Sequence, residues 1–228
     1  DLVVKIQRPS KQKKINEISY LKNCNVLTLL YEQKFKTEFN LLKKSKVNVF
    51  ALEKMPRISR AQSMDVLSSQ SNLSGYKAVI DAASEFNKAF PLMMTSAGTV
   101  APAKVLIIGA GVAGLQAIAT AKRLGAVVSS FDVRSSTKEQ VESLGAKFIE
   151  VGDDANDSGE TSSGYAKEMS SAYKKKQAKL LEETIKKMDI VITTALIPGK
   201  PAPRLINKKM VKTMKVGSII IDLASEFG

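Results

Sequence analysis

The feature that most constrains this chain is the stretch from Lys104 to Arg134, KVLIIGAGVAGLQAIATAKRLGAVVSSFDVR. An apolar run, Val105 to Ile108, reads as a buried strand. Gly109, Gly111 and Gly114 follow in G-x-G-x-x-G spacing. Next comes a helical pattern with Leu115, Ile118 and Ala119 on one face, and then a second strand, Val127 to Phe131, ending on Asp132. Each part has a physical task. Gly109 permits the tight turn out of the strand, Gly111 lets the backbone approach a pyrophosphate, and Gly114 lets the helix lie close to the sheet. The helix opens at Val112 and turns free N–H groups and a positive dipole end toward the phosphates. Asp132 stands about 20 residues on, where a carboxylate accepts from both ribose hydroxyls. A strand before the glycines, a helix after them and an acid at the next strand's tip make this a dinucleotide site. A glycine triplet alone would not. The charge of Asp132 repels a 2′-phosphate and argues for NAD(H). Arg134, just beyond Val133, argues the other way, since an arginine here can accept that phosphate. With an acid in the ribose position, NAD(H) is the expected cofactor.

The flanking sequence extends the same alternation. Leu73 to Phe90 reads as a long helix with a core stripe of Leu73, Tyr76, Ile80, Ala83, Phe86 or Asn87, and Phe90, closed by Pro91. Met93 to Ala103 leads into the glycine-rich strand. Ser136 with Glu139 reads as a capping box for a helix through Leu144, with Gly145 at its C-terminal cap. Lys147 to Val151 is a third strand. Gly152 to Gly164, GDDANDSGETSSG, is expected to be an exposed, mobile loop, running into a lysine-rich helix from Tyr165 to Met188. Ile190 to Thr194 is a fourth strand, followed by a stiff turn holding Pro198, Gly199, Pro201 and Pro203. A short helix and a fifth strand, Ser218 to Leu223, complete the order. The implied fold is α/β, a doubly wound parallel sheet of Rossmann type with strand order 3-2-1-4-5. Its cofactor crosses the strand C-termini at the switch point, so Thr194, Ala195 and Leu196 at the end of the fourth strand should line it.

Ahead of this domain, residues 1–56 alternate short strands (Leu2 to Ile6, Val26 to Leu30, Val47 to Leu52) with helical patterns, a weak one over Lys13 to Lys22 and one marked by Phe35, Phe39 and Leu42. That is a partial, smaller Rossmann-like α/β lobe with parallel strands. The expected division is a lobe at 1–56, a cleft loop at 57–71 and a nucleotide-binding domain at 72–228 cut after its fifth strand. Both ends of the chain read as cut. The 57–71 stretch gathers Arg57, Arg60, Gln62, Asp65 and Ser68, and suits either a solvated linker or the mouth of a ligand cleft.

Composition sets limits on chemistry. The 228 residues carry 44% hydrophobic and 25% charged side chains, ordinary globular values, with a net charge of +13. The lysines are scattered and there is no tryptophan, so solvated faces explain the charge better than a nucleic-acid surface. A single cysteine, Cys24, excludes an internal disulfide and reads as a core residue. The chain has no histidine, which excludes imidazole bases, triads and histidine metal sites. No apolar run is long enough to cross a bilayer.

Four segments, PRISRAQSMD, KVLIIGAGVAGLQAIATAKRLGA, GYAKEMS and VITTALIPGKPAPRLI, closely resemble the NAD(H)-binding component, domain I, of the proton-translocating nicotinamide nucleotide transhydrogenases. The resemblance runs over nearly the whole chain. It implies direct hydride transfer between NADH held here and NADP⁺ held on a separate domain, coupled to a transmembrane proton-channel domain. It also implies a homodimer peripheral to an inner membrane, mitochondrial or bacterial in type, facing matrix or cytosol. Arg57, Gln62 and Asp65 match the loop residues that position the nicotinamide, Ser68 a cofactor contact, and Tyr165 a tyrosine on a loop that folds over the nucleotide. Alanine dehydrogenase is the related alternative, since LVVKIQRP is similar to the strand carrying its substrate lysine, here Lys5. Its catalytic histidine falls at Tyr31, and without a proton acceptor amine oxidation is hard to run. A non-catalytic NAD-binding module is the remaining reading.

Overall fold

The computed structural model describes residues 1–11, 15–56, 58–151, 159, 166, 169–197 and 201–225. The chain divides into two compact units, Asp1–Gln70 and Ser71–Gly228.

In the first unit, β1 (Leu2–Gln7), β2 (Asn25–Leu29) and β3 (Asn48–Ala51) form a parallel sheet in that order, with α1 (Lys36–Lys44) crossing over between β2 and β3. Register brings Val3, Val26 and Val49 side by side. With period-two alternation these share a face, which packs on Ile18, Leu21, Leu30, Leu42 and Phe39. The weak helix expected over Lys13 to Lys22 is only one 3₁₀ turn, Glu17–Tyr20, among the described residues. So short an element lacks the length to sustain α-helix, and it holds its place by burying Ile18. Cys24 is half-buried rather than core, its thiol near the Lys22 carbonyl.

In the second unit, β6 (Lys104–Ile108), β7 (Val127–Phe131), β8 (Lys147–Ile149), β9 (Ile190–Thr193) and β10 (Ile219–Asp222) pair in the order β10-β9-β6-β7-β8, parallel throughout. This is the order expected from sequence. Val105, Leu106, Ile107 and Ile108 are all buried because helices cover both faces. On one side lie α2 (Val66–Glu85), whose first turn belongs to the other unit, and α3 (Val112–Arg123), with Val79, Phe86, Ala117 and Ile118. On the other lie α5 (Ser171–Ile185) and α6 (Lys208–Val211), with Leu181, Ile185 and Met210. The helix α4 (Lys138–Ser143) bridges β7 to β8.

Four expectations are corrected here. Helix α2 begins at Val66, seven residues earlier than its apolar stripe implies, because Asp65 caps it: the Ser68 N–H donates to Asp65 Oδ1 at 2.9 Å and the Ser68 hydroxyl to Oδ2 at 2.7 Å. Its buried face is Gly75, Ala78, Val79 and Ala82, while Leu73 and Tyr76 are 60% and 49% exposed. Gly75 sets that phase, since a Cβ there would overlap the Ala113 carbonyl of α3. The stretch from Met93 is a hairpin, β4 (Met93–Thr95) with β5 (Gly98–Val100). The N-cap of α4 is Thr137 rather than Ser136, and the Thr137 hydroxyl donates to the Arg134 carbonyl at 2.8 Å.

Candidate nucleotide-binding site

Parallel register fixes what stands at the C-terminal edge of the larger sheet. Ile108 lies beside Phe131 and Thr193, and Thr193 beside Asp222. Backbone bonds carry the ladder one step past the strands: the Gly109 N–H donates to the Phe131 carbonyl and the Thr194 N–H to the Ile108 carbonyl, both at 2.8 Å. Gly109, Asp132 and Thr194 are thereby gathered around the tip of β6, at the point where the chain order of the strands reverses.

The glycine turn is built for close approach. Gly109 has φ +103°, and a Cβ there would stand 2.5 Å from Thr194 Oγ1. A Cβ at Gly114 would overlap the Gly109 carbonyl oxygen, so α3 can start directly against the turn only with glycine at that place. Gly111 differs: a Cβ there meets nothing within 4 Å among the described residues. Among the described residues the space over Gly111 is open, and nothing there requires a glycine at it. At this N-cap of α3, beside Val112, the first N–H groups of the helix have no partner within it. An open space at a helix N-terminus, bordered by a turn that tolerates no side chain, fits a pyrophosphate.

Asp132 is buried at the tip of β7, its side chain 5% exposed. The Ala110 N–H donates to Oδ2 at 2.6 Å and the Arg134 N–H to Oδ1 at 2.9 Å. The Arg134 guanidinium adds Nε to Oδ1 and Nη2 to Oδ2, each at 2.9 Å. The carboxylate thus stands where a ribose diol would bind and already carries four donors. Val133 lies between the two residues, its carbonyl against Gly159. That contact corrects the expectation of an exposed loop at this point: Gly159 is buried, with φ +61°, and a Cβ on it would overlap the Val133 carbonyl. The rest of Gly152 to Gly164 lies outside the described residues.

Thr194 ties the tip of β9 to the turn, its hydroxyl donating to the Gly109 carbonyl at 2.9 Å. Ala195 and Leu196 follow it, half-buried and 38% exposed respectively. Sequence reading overlooked a second polar pair at this edge, where the Thr193 hydroxyl donates to Asp222 Oδ1 at 2.6 Å. IIID, like SSFD, ends a predicted strand on an aspartate, and that was the available signal.

In the smaller unit, Gln62 lies exposed on a 3₁₀ helix, Ser59–Met64, whose end passes directly into the Asp65 cap of α2. Gln62, Asp65 and Ser68 are therefore neighbours, with Asp65 and Ser68 hydrogen-bonded to each other. Arg57 and Tyr165 lie outside the described residues. Lys5 is not presented as a free cation: its ammonium donates to both oxygens of Glu17, at 2.7 and 2.8 Å. Glu17 is held below its usual range first by that Lys5 hydrogen bond and then by the Ser10 N–H. Tyr31 has φ +50°, and its N–H donates to Glu53 at 2.6 Å. Among the described residues there is no cluster of acids or cysteine able to hold a metal, and no helix long and apolar enough to cross a membrane.

Comparisons with known proteins show the family to which the chain belongs. The family model described as alanine dehydrogenase/PNT, N-terminal domain, matches residues 1–74, and the corresponding C-terminal domain model matches 78–228. The Rhodospirillum rubrum protein named as the first portion of NAD(P) transhydrogenase subunit alpha is 59% identical over 230 residues, covering 100% of this chain and 60% of that protein. The protein of the same name from Rickettsia prowazekii is 49% identical, over 100% of this chain and 59% of its own length. The crystal structure of transhydrogenase from Sinorhizobium meliloti superposes with a TM-score of 0.85 at 52% identity, covering 100% of this chain and 60% of that one. The chain thus spans about 60% of the length of these relatives. A glycine turn against β9, an acid at the tip of β7 and two adjoining domain models over nearly the whole sequence place this chain in the alanine dehydrogenase/PNT family.

Proposed function

We propose that this chain is the NAD(H)-binding component of a proton-translocating transhydrogenase, passing hydride directly from NADH to NADP⁺ held on a separate domain. The observation that carries the reading is the combination of an open Gly111, the close-packed Gly109 and Gly114, and the buried Asp132 in a chain 59% identical to a transhydrogenase alpha subunit. Gly109, Gly111, Val112 and Gly114 would hold the pyrophosphate, Asp132, Val133 and Arg134 the adenosine ribose, and Thr194, Ala195, Leu196 and Tyr165 would line the rest. Arg57, Gln62, Asp65 and Ser68 would orient the nicotinamide. Of these, Gln62 has an exposed side chain, whereas Asp65 and Ser68 also cap α2.

The chemistry suits a chain with no histidine. Hydride passing between two nicotinamides requires no general acid or base; it requires the reacting carbons held about 3–3.5 Å apart with water excluded. The partners on this reading are the NADP-binding and transmembrane proton-channel domains and a second copy of the chain, with the component peripheral to the membrane. Alanine dehydrogenase activity is the second reading, and the structure gives it little support. Lys5, which matches its substrate-binding lysine, is already paired with Glu17, and Tyr31 stands where it would need an imidazole.

The test mixes the full-length protein with its NADP-binding partner and follows hydride transfer from NADH to an NADP⁺ analogue of shifted absorbance, with alanine plus NAD⁺ run alongside. Transfer without alanine oxidation supports the proposal. Alanine oxidation without transfer overturns it. Gln62→Ala should slow transfer more than it weakens NADH binding; equal losses would count against a positioning role.

A further inference from the structure

We propose that Asp222, at the tip of β10, accepts hydrogen bonds from the hydroxyls of the ribose that carries the nicotinamide. The inference rests on the NAD(H) reading above.

A doubly wound sheet consists of two mononucleotide-binding halves, one for each end of a dinucleotide. Here one half opens with β6 and β7 and the other with β9 and β10, and the halves meet where β6 lies against β9. The two aspartates hold matching places in these halves. Asp132 follows β7 beside the turn out of β6, and Asp222 ends β10 beside Thr193 at the end of β9. Each bonds its own backbone two residues on: the Arg134 N–H donates to Asp132 Oδ1 and the Ala224 N–H to Asp222 Oδ1, both at 2.9 Å. Each also accepts from the tip of its neighbouring strand. The Ala110 N–H serves Asp132 and the Thr193 hydroxyl serves Asp222, both at 2.6 Å.

The faces correspond as well. Phe131 packs on the α5 and α6 side, so alternation turns Asp132 to the side of α3. Ile221 packs on the α3 side, so alternation turns Asp222 to the side of α6. Helix α3 joins β6 to β7 and α6 joins β9 to β10, so each acid faces the helix of its own half. A half-turn about an axis along the strands, between β6 and β9, relates one arrangement to the other.

What differs is the second oxygen. Both donors on Asp222 fall on Oδ1, while Oδ2 has no hydrogen-bond partner among the described residues and the side chain is exposed. An asparagine carbonyl would satisfy Thr193 and Ala224 equally well, so the turn does not require the second carboxylate oxygen. Held through Oδ1, the carboxylate keeps the acceptor positions of Oδ2 open at the C-terminal edge of the sheet. With the adenosine ribose at the tip of β7 and the pyrophosphate over Gly111, the remaining nucleoside continues across β9 toward β10. Its ribose hydroxyls there meet a charged acceptor, which makes the stronger kind of hydrogen bond.

The test uses NADH, ADP-ribose and ADP, which share adenosine and two phosphates. NADH and ADP-ribose carry the second ribose and ADP lacks it. Each is titrated calorimetrically against the full-length wild-type protein and Asp222→Asn, which keeps an acceptor for Thr193 and Ala224 and puts a donor at Oδ2. Asp222→Asn should lose about tenfold in affinity for NADH and for ADP-ribose, and none for ADP. A loss shared equally by ADP would mark a disturbed sheet edge and overturns the proposal, as does an unchanged NADH affinity. Should Asp222→Asn not fold, the wild-type protein is titrated with an NADH analogue whose nicotinamide ribose lacks both hydroxyls. That analogue should bind about tenfold more weakly than NADH, and equal binding overturns the proposal. A wild-type protein that binds neither NADH nor ADP would instead overturn the reading on which the inference rests.

Discussion

The hydroxyl of Thr194 donates to the carbonyl oxygen of Gly109 at 2.9 Å, joining the tip of β9 to the glycine turn at the tip of β6. The two residues are far apart in sequence and adjacent only because β6 and β9 pair in parallel register. The same hydroxyl oxygen stands 3.2 Å from where a Cβ of Gly114 would be, so one hydroxyl braces the turn from the strand side. Thr194→Val keeps the shape and removes the donor. It should weaken NADH binding about fivefold, the size of one hydrogen bond, with a small loss of stability. Thr194→Ser should restore both, and a serine variant as poor as the valine one would mean that the methyl packing matters instead.

Gly111 and Gly114 separate binding from folding. Gly114→Ala places a methyl on the Gly109 carbonyl and should cost about 1–3 kcal/mol of stability. Gly111→Ala meets nothing within 4 Å among the described residues, so its denaturation midpoint should match wild type. Its NADH affinity should fall at least tenfold if the open space is the pyrophosphate seat. Urea denaturation and NADH titration on the same two variants decide this, and normal NADH binding by Gly111→Ala would remove the seat from this position.

Asp65 serves the fold whether or not it serves the nicotinamide. Asp65→Ala removes the cap of α2 and should cost about 1 kcal/mol, while Asp65→Asn, itself a good N-cap, should cost little. If Asp65 also positions the nicotinamide, Asp65→Asn will slow hydride transfer despite its near-normal denaturation midpoint. Normal transfer by that variant would leave Asp65 with the cap alone.

Asp189 sits at the opposite edge of the larger sheet, accepting from the Lys104 N–H at 2.8 Å and from Lys215 Nζ at 2.7 Å. Burial alone would raise its pKa. The Lys215 hydrogen bond, the Lys104 N–H and the charges of Lys215 and Lys88 outweigh burial and hold it below its ordinary value of 3.8. A carboxyl lowered in the folded state contributes stability above its unfolded pKa and loses it as pH falls through the folded one. Asp189→Asn should therefore destabilise the protein at neutral pH and flatten the decline in stability below about pH 4. Denaturation midpoints measured from pH 3 to 7 check this, and a variant whose decline parallels wild type would show that other carboxylates govern it.

The sequence by itself determined the doubly wound order of the larger sheet. Five apolar runs of strand length separated by helical patterns admit one common right-handed winding, and the observed order agrees with it. It also determined the glycine turn and the acid at the tip of β7, because both are local signals read within about 30 residues. The phase of α2 was not legible. Leu73 and Tyr76 continue the apolar stripe as well as Val79 does, and only the backbone approach of Gly75 to Ala113 selects the face that is buried. Nor could the sequence show that Asp132 is already bonded by Arg134, that Lys5 is held by Glu17, or that Thr194 braces Gly109. Which residue type stands at each strand tip is a property of the chain. Which donor meets which acceptor there depends on parallel register and on side chains competing for the same few positions, and only the tertiary structure decides that.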